Sequence, residues 1–99
     1  MTTTVVNIRK GSPDAGTIAR AVADGNFVRI DRRSRWGNPF VVGKDGTRDE
    51  VCDKHAAWIL TQPRLMESIG ELRGKVLGCW CAPERCHGDT LARLADGEG

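Results

Sequence analysis

Apolar residues along the chain fall into two rhythms, the two-residue alternation of strands and the three-and-four spacing of helices. Val5-Val6-Asn7-Ile8-Arg9 is a short apolar run stopped by Lys10-Gly11-Ser12-Pro13, which predicts a first strand. Ile18 to Ala23 predicts a short helix that ends at Asp24-Gly25-Asn26. Phe27-Val28-Arg29-Ile30-Asp31 alternates apolar and polar residues as a half-buried strand does, placing Val28 and Ile30 on one face and Phe27, Arg29 and Asp31 on the other. Arg35 to Phe40 reads as a loop, because Asn38 precedes Pro39 and is driven to extended geometry. Phe40-Val41-Val42 predicts a brief edge strand, closed by a turn from Gly43 to Gly46.

Thr47-Arg48-Asp49-Glu50 has the form of a capping box, in which the Thr47 hydroxyl and the Glu50 carboxylate each satisfy a backbone donor at a helix start. A helix from Arg48 to about Thr61 follows, with Val51, His55, Trp58, Ile59 and Gln62 along one stripe. Pro63 opens a second helix running to about Leu72. Lys75 to Cys81 predicts a central strand that points Cys79 and Cys81 one way and Trp80 the other; Pro83 interrupts it. Cys86 to Ala95 completes the pattern as a helix, with Leu91, Leu94 and Ala95 at helical spacing and Gly97 as its stop. Helices between strands define an α/β fold: a single small domain over residues 1–99, its short sheet mixed or mostly parallel and flanked by helices. Ligands in such sheets sit at the carboxyl ends of the strands, where Cys81 falls.

Composition narrows the classes. Ninety-nine residues support one core, and 39% apolar with 28% charged residues is the balance of a globular chain. A formal charge of +2 is too small to mark a nonspecific nucleic-acid binder. The basic residues are clustered, however, since Arg29, Arg32, Arg33 and Arg35 fall within seven positions. No apolar run approaches the roughly 20 residues that span a bilayer, and the first residues, Met1-Thr2-Thr3-Thr4, lack the basic and apolar regions of a signal peptide. A cytoplasmic location without membrane contact is the expectation. Four cysteines in a reducing compartment are thiols, metal ligands or catalytic groups before they are disulfides.

Three of the four lie within eight positions, in Gly78-Cys79-Trp80-Cys81-Ala82-Pro83-Glu84-Arg85-Cys86-His87-Gly88-Asp89. Cys86 and His87 stand at a helix start, where backbone N–H groups and the dipole favour a thiolate. One reading makes Cys86 a nucleophile, with His87 or Asp89 handling protons and Cys81 in support. A second makes Cys79, Cys81, Cys86 and His87 a zinc site, although adjacent Cys86 and His87 are awkward partners for one tetrahedral ion. A variant of it recruits Cys52 and His55, three apart on one helix face. A third leaves the cysteines as small core residues, which fits Cys79 best. Upstream, Arg32, Arg33, Arg35, Trp36 and Asn38 form a candidate ligand site: arginine forks hold phosphate, an indole offers a stacking face, and Gly37 admits close backbone approach. The opposing reading makes these arginines a solvated face and Trp36 a core residue.

Val5-Val6-Asn7-Ile8-Arg9, Arg35-Trp36-Gly37-Asn38-Pro39-Phe40, Asp45-Gly46-Thr47-Arg48, and Leu77-Gly78-Cys79-Trp80-Cys81 with Cys86-His87-Gly88-Asp89 resemble a family of small bacterial and bacteriophage proteins. That family is catalogued as domain of unknown function 4326. The segment from Gly11 to Asn26 departs from its pattern. The resemblance implies no reaction. The residues themselves favour a small enzyme-like domain that binds a nucleotide or nucleic-acid component, with Cys86, His87, Asp89 and Cys81 at the reacting centre and Arg33, Arg35, Trp36 and Asn38 at the ligand. A zinc-stabilised module for nucleic acid and a phage module that engages a host protein are the alternatives from other classes.

Overall fold

Three strands and four helices alternate in the computed structural model of the chain, which describes residues 2–32, 34–82 and 84–97. The order is β1 (Thr4–Asn7), α1 (Ala15–Ala23), β2 (Phe27–Arg29), α2 (Arg48–Ile59), α3 (Pro63–Ser68), a 3₁₀ turn (Ile69–Leu72), β3 (Val76–Cys79) and α4 (His87–Ala95). The strands form one sheet in the order β1-β3-β2, and both pairings are parallel. Parallel neighbours require long crossovers, which the helices supply. The expected α/β domain is therefore present, with a wholly parallel three-stranded sheet among the described residues.

Register puts Val5, Leu77 and Val28 side by side on one face, where Leu77 and the nearby Ile30 are fully buried. Helix α4 lies on this face: a Cβ added at Gly88 would stand 2.7 Å from the Ile30 side chain and 3.1 Å from Val5. Only glycine lets the helix start sit this low on the sheet. The opposite face is equally tight at the centre, since a Cβ on Gly78 would meet Ile8 at 2.5 Å and the Phe27 ring at 2.6 Å. Helix α2 buries Val51, Cys52, His55 and Ile59, while Trp58 and Gln62 of the predicted stripe are only half-buried. Its capping box is formed, with the Glu50 N–H on Thr47 Oγ1 (3.2 Å) and the Thr47 N–H on Glu50 Oε1 (2.9 Å).

Several boundaries differ from expectation. Helix α1 begins at Ala15, three residues earlier than its apolar spacing indicates. The second predicted helix is divided, its last turn being 3₁₀. Residues 40–42 form no strand: the Val41 N–H is given to Asp45 Oδ2 (2.8 Å), and the Val41 carbonyl accepts from Lys44 and Asp45. A local turn consumes the groups a ladder would need. Strand β3 ends at Cys79 rather than Cys81, because the next residues bend toward α4 and leave no strand beside them to pair with.

Candidate functional site

The bend after β3 is held from both sides. Asn7, at the end of β1, donates its side-chain amide to the Ala82 carbonyl at 2.6 Å. From the other side Arg85 pairs with Asp53 (2.6 Å) and Asp49 (3.1 Å) of α2, and Arg48 pairs with Glu84 (3.1 Å). Between this bend, the 38–42 loop and the start of α2 lies a cavity of about 420 Å³. That volume lies within the range of small-molecule sites. All four cysteines line it, together with His87 and three arginines, Arg32, Arg48 and Arg85; Phe40 and the half-exposed Trp80 supply aromatic surface.

The thiols have distinct partners. Cys52 donates to the Arg85 carbonyl (3.7 Å), and burial pushes its pKa up. Half-buried Cys81 lines the cavity beside Arg48. Cys79 and Cys86 are both buried and line it too. The Cys86 thiol and the N–H groups of Cys81 and Ala82 draw the Cys79 thiol down to about 6 against the opposing effect of burial. Cys86 is raised, first by serving Cys79 as donor and then by burial. Its sulfur nevertheless accepts the Gly88 N–H at 3.3 Å and lies 3.5 Å from His87 Nδ1. The helix start does receive a sulfur, as its donors predict.

His87 is buried, with Nε2 2.6 Å from the Ile30 carbonyl. That contact places the ring proton of the neutral imidazole on Nε2, and Nδ1 faces the Cys86 sulfur. Burial lowers its pKa, against the pull of the Ile30 carbonyl and of Asp89 and Asp31. His55 sits behind it, fully buried and edge-on to the His87 ring at 5.1 Å between centroids. Asp89 accepts the Cys86 N–H (3.2 Å) through its carboxylate, so it caps α4 and is absent from the cavity wall.

The predicted ligand residues are only partly assembled. Asn38 lines the cavity, but its carboxamide is engaged by the Phe40 N–H (2.9 Å) and the Val51 carbonyl (3.3 Å). Arg35 turns away: it lies over the Trp36 ring at 4.8 Å and pairs with Glu71 at 2.7 Å. Trp36 is a core residue, 4% exposed, with no free face for a ligand. Gly37 accommodates the chain itself, since a Cβ there would lie 2.7 Å from the backbone of Asp31 and Arg32. Arg33 lies outside the described residues. Arg48, Arg85, Phe40 and Trp80 take the places that sequence reasoning gave to Arg35 and Trp36. Arg85 was within the Gly78–Asp89 run, whereas Arg48 carried only a helix-start signal. Among the described residues no group of three or more His, Cys, Asp or Glu side chains is arranged to hold a metal ion. The alternative set Cys79, Cys81, Cys86 and His87 is therefore not arranged as a metal site among the described residues.

Fold and site together define a small α/β domain with a thiol-lined, arginine-rimmed cavity beside the carboxyl end of a parallel sheet. The chain belongs to the family described as domain of unknown function (DUF4326), whose profile matches residues 17–97. It is 35% identical over 69 residues to Uncharacterized protein R718 of Acanthamoeba polyphaga mimivirus, a match covering 62% of this chain and 52% of that protein. The chain thus spans about half the length of the mimivirus relative. It is also 35% identical over 74 residues to the Uncharacterized 12.4 kDa protein in the nrdA-td intergenic region of Enterobacteria phage T4, covering 70% and 67% of the two chains. No solved structure matches. Among the described residues no helix is long and apolar enough to cross a membrane.

Proposed function

We propose that the cavity binds a nucleoside phosphate and presents it to the Cys79–Cys86–His87 centre, making the protein a small nucleotide-binding domain of enzyme-like construction. One observation carries this reading: Arg32, Arg48 and Arg85 surround a single cavity whose wall also holds Phe40 and Trp80. Guanidinium groups bind phosphate through paired, charge-assisted hydrogen bonds, and aromatic faces accept a base by stacking. Cys79, Cys86 and His87 line the same cavity.

Calorimetric titration with nucleoside monophosphates, nucleoside diphosphates and inorganic phosphate tests the proposal. The expected result is saturable binding of a nucleotide that is tighter than that of inorganic phosphate. Arg48→Ala should weaken it by about tenfold or more, the scale of one lost charge-assisted hydrogen bond. Trp80→Ala should weaken nucleotide binding and leave phosphate binding unchanged. Absence of nucleotide binding at millimolar concentration, or affinity indifferent to both substitutions, would overturn it.

A further inference from the structure

We propose that the carboxyl end of the sheet is a docking surface for an unpaired strand of nucleic acid, one nucleotide of which enters the cavity. The inference rests on the nucleotide reading of the cavity and adds the class of ligand to it: a polymer in place of a free nucleotide.

Strand order carries it. Central β3 has β1 on one side and β2 on the other, and both pairings are parallel, so the three segments leave the sheet at the same end. Trp80 directly follows β3 and is 50% exposed. Arg9 and Lys10 lie just beyond β1, Arg29 ends β2 and Arg32 lies just beyond it; all four are exposed. An exposed indole is thus bracketed by a basic pair from each edge strand. Hydrogen bonds tie the bracket together. The Trp80 indole N–H (3.4 Å) and the Arg29 guanidinium both donate to Asp31 Oδ2. On the other side Asn7 donates its amide to the Trp80 carbonyl (3.4 Å), and its side-chain oxygen accepts the Arg9 N–H (2.7 Å). The bond to Asp31 uses the edge of the indole and orients the ring while half of the residue stays in solvent.

The chemistry of this surface selects its occupant. Bases stack on an indole with little regard to sequence, and guanidinium and ammonium groups follow the phosphates. Neighbouring strands lie about 4.8 Å apart, so the chains leaving β1 and β2 are separated by roughly 10 Å, a spacing that suits successive phosphates of a strand. Arg9 and Lys10 lie outside the cavity wall, so a mononucleotide held there leaves them unused. Neither they nor Arg32 give their side chains to an acid among the described residues, whereas Arg48 and Arg85 are paired. In a duplex each base face is covered by the next base pair, so only an unpaired strand offers a face to Trp80.

Calorimetric titration of the full chain tests the proposal. The ligands are unpaired DNA and RNA oligomers of about eight nucleotides, a length within the site sizes of small strand-binding domains, together with the nucleoside monophosphates they contain, a duplex of the same length and polyglutamate. Using both oligomers reads the accepted sugar from the same experiment. The better oligomer should bind about tenfold or more tighter than any monophosphate, and its log affinity should fall with log salt concentration at a slope of about −2 to −3, as three or four phosphate contacts require. The double variant Arg9→Ala, Lys10→Ala alters exposed residues outside the cavity. It should remove most of the oligomer's advantage, reduce the slope by about 1.4 and leave monophosphate affinity unchanged. Monophosphate binding with no tighter binding of either oligomer overturns the strand proposal and leaves the cavity reading standing. Absence of binding by monophosphates and oligomers alike overturns both. Oligomer affinity indifferent to the double variant, or matched by the duplex or by polyglutamate, also overturns the strand proposal.

Discussion

His55 is 0% exposed, and neither of its ring nitrogens has a hydrogen-bond partner among the described residues. Such a group is tolerated in a core only while neutral. Burial, with the neighbouring His87 adding to it, depresses its pKa from 6.5 to about 4. Between those values the unfolded chain binds a proton that the folded chain refuses, so stability is complete above pH 6.5 and falls as pH drops toward about 4. His87, also depressed by burial, adds to the same trend. The variant His55→Leu replaces the ring with an apolar side chain of similar size and should flatten this slope. Relative to wild type it should gain about 2 kcal/mol in urea unfolding between pH 7 and pH 5. An unchanged slope would assign the acid sensitivity to other groups.

Element α4 depends on its first turn, because that turn fixes Cys86 and His87 against the sheet. The Asp89 carboxylate accepts the Cys86 N–H and the Cys86 sulfur accepts the Gly88 N–H, a capping box with a cysteine in the usual serine place. Asp89→Ala should therefore cost about 1 kcal/mol. It should also loosen the Cys79–Cys86 geometry, which would be read as faster alkylation of Cys86. Asp89 acts here by positioning; a variant with wild-type stability and wild-type thiol reactivity would remove that role. The equivalent box at α2 is built from Thr47 and Glu50, and the helix's first residue Arg48 lines the cavity. Both capped helix starts thus deliver residues to the same cavity.

Across the whole molecule the two ends of the chain are clasped to one another. Buried Thr3 donates its hydroxyl to Asp96 Oδ1 (2.7 Å) and accepts the Gly74 N–H (3.0 Å), while its own N–H reaches Asp96 Oδ2 (3.2 Å). One residue joins the edge strand, the turn before the central strand and the end of the last helix. Thr3→Val keeps the shape and the backbone bond but removes the hydroxyl bonds, so it should cost about 1–3 kcal/mol. In a domain of this size each kcal/mol lowers Tm by about 4–8 °C. Hydrogen bonds from Thr3 hold the Asp96 carboxyl below its usual value of 3.8. That contribution is present above pH 3.8 and is lost as pH falls through the lower folded value; in Thr3→Val this part of the acid dependence should shrink. The exposed pairs Arg35–Glu71, Arg48–Glu84 and Arg85–Asp49 add little to stability and serve chiefly to set geometry.

Local chemistry determined much of this molecule. The Thr47–Glu50 box and Pro63 at a helix start act within a turn or two of chain and are present where the pattern indicates, whereas the strands expected over Phe27–Asp31 and Lys75–Cys81 stop early, at Arg29 and Cys79. The Gly78–Asp89 run was legible as a candidate site, since thiols, a histidine and a helix start coincide there in sequence. Partner choice was decided only by the tertiary structure. Phe40–Val42 has strand composition but spends its backbone on Asp45 and its own turn. Trp36 has the face for a ligand but fills the core, and Arg35 follows it to Glu71. Arg48 and Arg85 enter the site from a helix and a bend that are far apart in the chain. Period and capping depend on near neighbours along the chain, whereas burial, ion pairing and shared protons depend on what folding brings alongside.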